Sequence, residues 1–277
     1  MCEVKRFNDF REFYRYNESF INSDPMQNIF LRRVIDQVFK GQITIFNFFN
    51  LLDKNGTQLI ALIVDQFCLI YSNKFNPKMN EVLSEELEFH RFNRYTFAGN
   101  KLVIENLLNS HNSPYTIQKH LSIYRCDKVN PEFEHNTGTC KLADLKDFEE
   151  LVQLSLYFTE EYDGKREDIN EMKSVIASGI SEENLYQWSD NDSICAIALV
   201  MYREQFGFPE IGHLFTNPKH RNKNYASSLV YKITERILKE NNFCMLYTNG
   251  QNKASNRTFV KVGYVKTGDY IMCFKEA

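Results

Sequence analysis

The stretch LFTNPKHRNKNYA, residues 214–226, connects a predicted strand, residues 211–216, to a predicted helix, residues 226–239. The loop between them is rich in basic and amide side chains. The first turn of a helix presents backbone N–H groups without acceptors and a partial positive charge, and phosphate groups bind readily there. The stretch therefore predicts an anion-binding loop at a strand–helix junction.

Four loop residues strengthen this prediction. Arg221 and Lys223 add full positive charges. Asn222 and Asn224 matter because asparagine tolerates a left-handed backbone better than any residue except glycine, so a nest of N–H groups can form there. His220 lies beside Arg221 and either assists the loop or has no role.

The elements around the loop predict a mixed α/β fold. Upstream we expect helices over residues 143–158 and 169–180, and strands over 185–188 and 194–202 joined by a turn at 189–192. Downstream we expect a strand over 243–247, a helix over 255–262 ended by Gly263, and strand residues at 265 and 270–274. Strands alternating with helices are typical of an α/β or α+β mixed sheet.

The segment RNKNYA, residues 221–226, resembles the acyl-CoA pyrophosphate loop of the GNAT acetyltransferase superfamily, R/Q-x-x-G-x-G/A. The downstream segments LYT (246–248), NKASN (252–256) and FVKVGY (259–264) resemble the superfamily's N-x-x-S-x-x-x-Y-x-K-x-G-F/Y end. The match covers about half of the chain, from Thr139 onwards. Two motifs at the expected separation are far more specific than either alone.

The resemblance implies acetyl-CoA or a related acyl-CoA as cofactor. The backbone groups of Leu214, Phe215 and Thr216 would hold the pantetheine arm and polarise the thioester carbonyl. Asn252 would hydrogen-bond the pantetheine, although it suits equally the N-cap of the following helix. The remaining implied cofactor-binding residues are Arg221, Asn222, Lys223, Asn224, Tyr225, Ala226, Ser255 and Phe259.

Two positions depart from the family pattern. Asn224 replaces the loop glycine, and Phe259 replaces a tyrosine whose hydroxyl commonly reprotonates the leaving CoA thiolate. Phenylalanine has no proton to give. Either another group or water is the acid, or the domain binds acyl-CoA and catalyses slowly. Tyr264 and Tyr270 are further candidate donors.

Two candidate bases flank the predicted cofactor strand. Glu210 and His213 differ by three positions, so strand alternation predicts that they lie on opposite faces and that only one faces the acceptor. The pKa of an ordinary histidine lies near neutrality, which suits a base. The alternative is a surface carboxylate and a hydrogen-bonded strand histidine without a catalytic role.

The first half, residues 1–135, is predicted to be a degenerate GNAT-like or cap domain, and residues 136–277 the acetyltransferase domain, with a polar linker at 127–136. In the first half we expect a helix after Asp24-Pro25, strands over 43–49, 59–64, 67–71 and 118–125, a hairpin turn at 53–56, and helices over 78–92 and 101–108. No R-x-x-G-x-A pattern follows Tyr71, which predicts no cofactor there. This half would supply a wall of the acceptor cleft or a dimer surface.

Composition limits the function further. The 277 residues carry a net charge of −3, which argues against a general nucleic-acid binder. No apolar run approaches a membrane span, and the first residues show no secretory signal, so we expect a cytoplasmic protein without membrane association. Seven cysteines without a C-x-x-C pair predict reduced thiols and no metal site.

Charge is uneven in the second half. Residues 144–192 hold 14 acidic and 4 basic side chains, whereas residues 217–261 hold 9 basic and 2 acidic ones. The basic segment suits an anionic ligand, although two solvated faces would give the same counts. The resemblance to the GNAT superfamily implies an N-acetyltransferase in which a small-molecule or peptide amine attacks the thioester directly, with a homodimer as one possible state. The alternative is an acyl-CoA-binding or sensing module with weak or no catalysis.

Overall fold

The computed structural model describes residues 2–65, 67–203 and 207–276, without the side chains of Asp163 and Arg203. The chain forms two compact units. Unit 1 holds the residues up to Ile123, together with Asn249–Gln251 and the residues from Thr267 onwards. Unit 2 holds Tyr124–Thr248 and Asn252–Lys266. The predicted α/β class with a mixed sheet is confirmed, because parallel and antiparallel strands alternate with helices in the described residues.

Unit 1 is built around a mixed sheet. Its elements are β1 (Cys2–Arg6), α1 (Phe10–Ser23), α2 (Ile29–Phe39), β2 (Ile45–Asp53), β3 (Gln58–Val64), β4 (Phe67–Ser72), α3 (Asn80–Leu87), β5 (Tyr95–Asn100), α4 (Lys101–Ser110), β6 (Tyr115–Cys126) and most of β12 (Val265–Lys275). The strand order is β1-β2-β3-β4-β5-β12-β6. The β4/β5 pair is parallel, and β12 is antiparallel to β5.

The hairpin turn between β2 and β3 forms where the sequence predicts it. Asp53 accepts hydrogen bonds from the backbone N–H groups of Asn55 and Thr57, each at 2.8 Å, and Gly56 has φ +76°. An aspartate that bonds the backbone two residues on stabilises such turns. The turn fixes the antiparallel register of the two strands, with Leu51 opposite Leu59.

Close strand packing in unit 1 depends on one glycine. Gly99 of β5 lies opposite Ile70 of β4 and Ile271 of β12. Its φ is +136°, and a Cβ atom placed there would lie 2.0 Å from the backbone oxygen of Ile70. Only a residue without a side chain fits at such a distance.

Unit 2 contains the predicted loop and helix. Its elements are β7 (Thr139–Leu142), α5 (Phe148–Asp163), α6 (Ile169–Ser181), β8 (Leu185–Asp190), β9 (Ser193–Arg203), β10 (Phe208–Thr216), α7 (Tyr225–Ile237), β11 (Cys244–Asn249) and α8 (Lys253–Val262). The strand order is β11-β10-β9-β8-β7. Only the β10/β11 pair among these described strands is parallel.

The sheet of unit 2 separates two apolar clusters. Ala196, Ala198 and Val200 of β9 pack with Ile211 in a cluster that includes residues of α7 and α8. Ile197, between them in the sequence, packs with residues of α5 and α6 in the second cluster. Alternate residues of a strand point to opposite faces, so each face of β9 supports one pair of helices.

Three of the observed strands were not predicted from the sequence, and the segment predicted as a linker is packed against helices of unit 2. β1, β5 and β7 are short strands with weak alternation of buried and exposed residues.

The polar segment 127–136 has no helix or strand, as predicted, but it is not a free linker. Phe133 stacks on Tyr231 of α7 with ring centroids 5.0 Å apart, and Asn130 N–H donates to the Val262 carbonyl at 2.8 Å. Among the helices of the described residues, none combines the length and the apolar character of a membrane-spanning segment.

Candidate active site

The loop before α7 has the backbone conformation that an anion nest requires. Asn222 and Asn224 both have φ +61°, in the left-handed region. Asn224 is the residue that precedes α7, and within the described part of the chain no side chain caps the first turn of this helix. The backbone N–H groups of that turn therefore remain available for an anion, next to the partial positive charge of the helix end.

Arg221 is held beside this nest. Its Nη2 donates to Glu161 Oε2 of α5 at 2.5 Å, its Nε donates to the Thr216 carbonyl at 3.4 Å, and its guanidinium lies 5.4 Å from the centre of the Phe215 ring. Both members of the ion pair are exposed, so the pair contributes about 1 kcal/mol or less to stability. Its effect is to orient the guanidinium at the loop.

The segment before β7 is hydrogen-bonded to the loop and to the start of α7. Asn136 donates from its side chain to the Lys223 carbonyl, and its backbone N–H donates to Ser228 Oγ at 3.1 Å. Gly138, which follows two residues later, has φ +101°, and a Cβ atom there would lie 2.4 Å from the Ser189 carbonyl oxygen. This close approach fixes the segment against β8.

Tyr225, which the resemblance places at the cofactor, has an inward side chain. The side chain is 5% exposed, and its hydroxyl donates to Asp190 Oδ2 at 2.5 Å. Thr137 donates to the same carboxylate oxygen at 3.0 Å. The hydrogen bonds from Tyr225 and Thr137 lower the pKa of Asp190, so the carboxylate stays charged. Only the backbone of Tyr225 is therefore left for a ligand.

β10 contains a bulge at the predicted cofactor strand. Gly212 lies opposite Leu199 of β9, but Phe215 lies opposite Ile197, so β10 has one extra residue between these pairs. His213, inside the bulge, has φ +49°. A bulge bends its strand and re-aims the side chains beside it.

The bulge is followed by a gap in strand pairing. In the described residues, β10 and β11 are paired at Glu210 and Met245, and no pair follows although β10 continues to Thr216 and β11 to Asn249. The carboxyl-terminal half of β10 is therefore not paired with β11, although Phe215 and Thr216 remain paired with β9. Backbone groups of Leu214, Phe215 and Thr216 lie along this gap, where ligands of α/β sheets commonly bind.

The prediction that Glu210 and His213 lie on opposite faces is wrong. Glu210 pairs with Met201, which shares a face of β9 with Ile197 and Leu199, on the side of α5 and α6. His213 lies on the same side, because its ring centroid is 4.2 Å from that of Phe158 of α5. Strict alternation fails since the extra residue of the bulge shifts the pattern by one position.

The two candidate bases differ in their surroundings. Glu210 is 1% exposed and is therefore no surface carboxylate. His213 Nε2 is buried and has no hydrogen-bond partner among the described residues. Burial lowers the pKa of His213 to about 4, so the imidazole is neutral at physiological pH. A buried polar atom without a partner is unusual in a folded protein and suits a group that meets a ligand.

The lowered pKa of His213 predicts acid sensitivity. The unfolded chain takes up the proton near pH 6.5 and the folded chain only near pH 4, so the free energy of unfolding falls as the pH drops between these values. Between pH 7 and pH 4.5, we expect the free energy of unfolding of His213→Gln to fall by about 2 kcal/mol less than that of the wild type. Urea unfolding at the two pH values measures this difference. His220→Gln is the control and keeps the wild-type loss. An equal loss in His213→Gln and the wild type would contradict a buried neutral imidazole.

The resemblance places residues at the start and in the middle of α8 at the cofactor, but the structure shows one as a helix cap and another as a core residue. Asn252 is the N-cap: its side chain accepts a hydrogen bond from the Ser255 N–H at 3.1 Å. That geometry matches the capping alternative, and the proposed contact of Asn252 with pantetheine stays a prediction. Phe259 is 4% exposed, with its ring 5.9 Å from Tyr124 and 6.1 Å from Tyr264. It is a core residue beside two tyrosines.

The other tyrosines named from the sequence are buried. Burial raises the pKa of the Tyr264 hydroxyl well above its usual value, and the hydroxyl bonds Thr234 Oγ1 at 2.7 Å and Cys244 Sγ at 3.3 Å. Tyr270 belongs to unit 1 and stacks on Phe30 with ring centroids 4.2 Å apart.

Sequence reasoning missed the supporting residues Asn136, Thr137, Asp190 and Glu161. Each acts on the loop through a contact between residues far apart in the chain, and no local pattern records such contacts. The acidic excess over residues 144–192 was the one available signal for Glu161 and Asp190. No group of three metal-ligating side chains occurs in the part of the chain that the structure describes.

Comparison with known proteins agrees with this geometry. Residues 191–272 match the family model described as FR47-like protein. An acetyltransferase of the GNAT family from Colwellia psychrerythraea is 10% identical, with 99% of this chain and 100% of that chain covered at a TM-score of 0.56. A GCN5-related N-acetyltransferase from Sphaerobacter thermophilus is 13% identical, with 87% and 85% covered at a TM-score of 0.54. The search of curated protein sequences found no significant match.

These similarities confirm the predicted resemblance to the GNAT superfamily. At such low identity the solved structures show a shared fold and carry no residue roles. The family match lies in the region that holds the bulge, the nest and α8. The interpretation of residues 1–135 as a degenerate GNAT-like or cap domain stays a prediction.

Proposed function

We propose that this chain, whose fold is that of the GNAT acetyltransferases, is an acetyl-CoA-dependent N-acetyltransferase. The observation that carries the proposal is the first turn of α7, which no side chain caps in the described residues. It follows two left-handed asparagines and the half of β10 that is not paired with β11. A pyrophosphate needs such a set of N–H donors, and an amide-bearing arm needs free strand backbone.

The residues present fit acetyl-CoA. The backbone of residues 222–226, with Arg221 and Lys223, would hold the pyrophosphate, and Leu214, Phe215 and Thr216 would offer backbone groups to the pantetheine. The departure at Asn224 does not remove the nest, since this asparagine has the dihedral that a glycine would take. When bound, acetyl-CoA supplies an activated acyl thioester.

The acceptor side is proposed to take a small-molecule or peptide amine. His213 Nε2, neutral and without a partner among the described residues, would accept a hydrogen bond from the amine N–H and orient its lone pair. A base with a pKa near 4 removes protons poorly, so the amine would enter in its neutral form or lose its proton to water or Glu210. The acidic segment over residues 144–192 favours acceptors of positive charge.

The test of this proposal is thermal unfolding with and without acetyl-CoA, with ATP and NAD as controls. A ligand at 100 times its Kd adds about 2.7 kcal/mol to the free energy of unfolding, which corresponds to a rise in Tm of about 5–15 °C. A rise specific to acetyl-CoA, followed by acetylation of a member of an amine panel, supports the enzyme. Absence of any shift at millimolar acetyl-CoA would refute it.

Glu161 offers a finer prediction. Its carboxylate orients Arg221 but would also repel an incoming pyrophosphate, whereas a glutamine oxygen still accepts the hydrogen bond from the guanidinium without the negative charge. We expect Glu161→Gln to bind acetyl-CoA about 2–5-fold more tightly, since an exposed like-charge contact is worth some tenths of a kcal/mol to 1 kcal/mol. The measurement is calorimetry at low and high salt, with the gain shrinking at high salt. Glu160→Gln on the same helix is the control, and tighter binding by both variants alike would mean a general charge effect.

A second candidate function rests on Phe259. This buried ring gives α8 no hydroxyl at the position where a proton donor is common in the family. A protein that binds acyl-CoA and transfers the acetyl group slowly or not at all would be a binding or sensing module. Acetyl-CoA binding without turnover across the amine panel would favour this candidate.

A further inference from the structure

The edge of the sheet in unit 1 is a short charged strand. β1, Cys2–Arg6, comes first in the strand order, and among the described strands it is paired with β2 alone. The open side of an edge strand presents a row of backbone N–H and C=O groups, which can pair with a strand of another chain. Charged side chains on an edge usually prevent such pairing. The position of each charge on β1 therefore matters.

The turn between β2 and β3 shows which residues of β1 direct their backbone groups to the open side. Asp53 N–H donates to the Thr57 carbonyl at 3.0 Å, so the backbone groups of Asp53 point to β3. Successive residues of a paired strand bond to alternate sides, so Leu52 bonds towards β1, where it lies opposite Glu3. Glu3 and, two residues later, Lys5 therefore bond β2. The backbone groups on the open side belong to the three other residues of the strand, Cys2, Val4 and Arg6.

The charged side chains of Glu3 and Lys5 lie on one face of β1. Val4, between them, packs against the apolar cluster that contains Leu51, and successive side chains of a strand point to opposite faces. Glu3 is exposed. The Nζ atom of Lys5 lies 4.0 Å from the centre of the Tyr16 ring of α1. The face of β1 next to α1 thus carries one negative and one positive charge, two residues apart.

Antiparallel pairing of β1 with a second copy of itself admits three registers of more than one residue, because residues with open backbone groups must face one another. Cys2 opposite the partner's Val4 brings Glu3 opposite the partner's Glu3. Val4 opposite the partner's Arg6 brings Lys5 opposite the partner's Lys5. Val4 opposite the partner's Val4 instead brings Glu3 opposite the partner's Lys5, on both sides of the two-fold axis. Only this last register joins opposite charges, and it also pairs the whole strand.

We propose that two copies of this chain associate through β1, with Val4 on the two-fold axis and Glu3 paired with the partner's Lys5. The charged residues occupy the non-hydrogen-bonded positions, where facing Cα atoms are about 4.5 Å apart and side chains are closest. The open backbone groups bond their counterparts in the other copy. The sheet of unit 1 continues into that of the second copy, and this surface does not depend on the proposed acetyl transfer.

The experiment measures the association of the full chain by sedimentation velocity over a range of protein concentrations. We expect the wild type to form dimers as the concentration rises. Glu3→Lys and Lys5→Glu each place like charges opposite one another on both sides of the axis, so we expect each to raise the Kd of the dimer at least about tenfold, and less at high salt. Glu132→Lys, the same change at an exposed residue of unit 2, is the control and leaves the Kd unchanged.

Charge reversal separates this register from a general effect of net charge. The double variant Glu3→Lys/Lys5→Glu exchanges the two charges and restores opposite pairs, so we expect its Kd to return to within about threefold of the wild type. An equimolar mixture of the two single variants brings a strand with two positive charges against one with two negative charges. We therefore expect heterodimers from two variants that associate poorly alone. Failure of both the double variant and the mixture to associate overturns the register.

Val4→Pro tests the backbone contact. The Val4 N–H lies on the open side, so proline removes no hydrogen bond to β2, and edge strands tolerate proline in this orientation. We expect a monomer with the same Tm as the Glu3→Lys variant. Dimers that persist in both Val4→Pro and Glu3→Lys would place the interface elsewhere and overturn the proposal. A wild type that stays monomeric at about 0.1 mM overturns it as well.

Discussion

We expect the replacement of both Asn222 and Asn224 with valine to weaken the proposed binding of acetyl-CoA by at least about 100-fold, and calorimetry is the measurement that checks this. Both residues have φ +61°. A left-handed backbone costs about 1–2 kcal/mol at an ordinary residue and more at a β-branched one. The loop of the variant therefore leaves this conformation, and the N–H groups before α7 no longer converge. Hydrogen bonds to a charged group are worth about 1.5–3 kcal/mol each, so their loss dominates the effect.

The matched control replaces both asparagines with glycine. Glycine takes the left-handed conformation without steric cost, so the nest is preserved and binding stays within a few-fold of the wild type. If the valine and glycine variants bound equally well, the backbone conformation of the loop would not be what holds the pyrophosphate. If both variants lost binding, the asparagine side chains would be the essential groups.

Gly99→Ala has the largest expected effect on stability. The new Cβ atom would lie 2.0 Å from the Ile70 carbonyl oxygen, so β4 and β5 must move apart to admit it. Strain at the positive φ and overpacking together cost at least about 3 kcal/mol. That is a large part of the roughly 5–15 kcal/mol that holds a typical domain together. Urea unfolding at neutral pH measures the loss, and poor soluble expression is the extreme outcome.

Gly56→Ala is the control for this substitution. Gly56 also has a positive φ, +76°, but a Cβ atom added there would meet no described atom within 4 Å. Only the backbone cost of about 1–2 kcal/mol therefore remains. The difference between the two variants isolates the close approach of β4 and β5. Equal losses would show that the strands of unit 1 tolerate a wider spacing at Gly99.

The loop before α7 could be predicted because its chemistry is local. Basic and amide residues at a strand–helix junction imply both the available N–H groups and the left-handed asparagines, and neither inference needs a distant contact. The helix predicted over residues 226–239 is found as α7, Tyr225–Ile237. The Asp53–Gly56 turn is predictable for the same reason.

The bulge in β10 could not be predicted, and the placement of the candidate bases failed with it. A bulge exists only relative to the neighbouring strand, here in the mismatch between Gly212 and Phe215 against Leu199 and Ile197. Periodicity in one strand contains no such information. The ties of Asn136 to Lys223 and of Tyr124 to Asn256 are non-local in the same way.

The final strand has a consequence for the order in which the protein is made. Residues 267–275 of β12 lie between β5 and β6 in unit 1, yet they follow nearly all of unit 2 in the chain. As the chain leaves the ribosome, β5 and β6 must wait for a shared neighbour until residue 275 has been synthesised. Unpaired strand edges invite association with other chains. Unit 1, although most of it is translated first, is therefore completed last, and β5 and β6 stay without their shared neighbour until the end of translation.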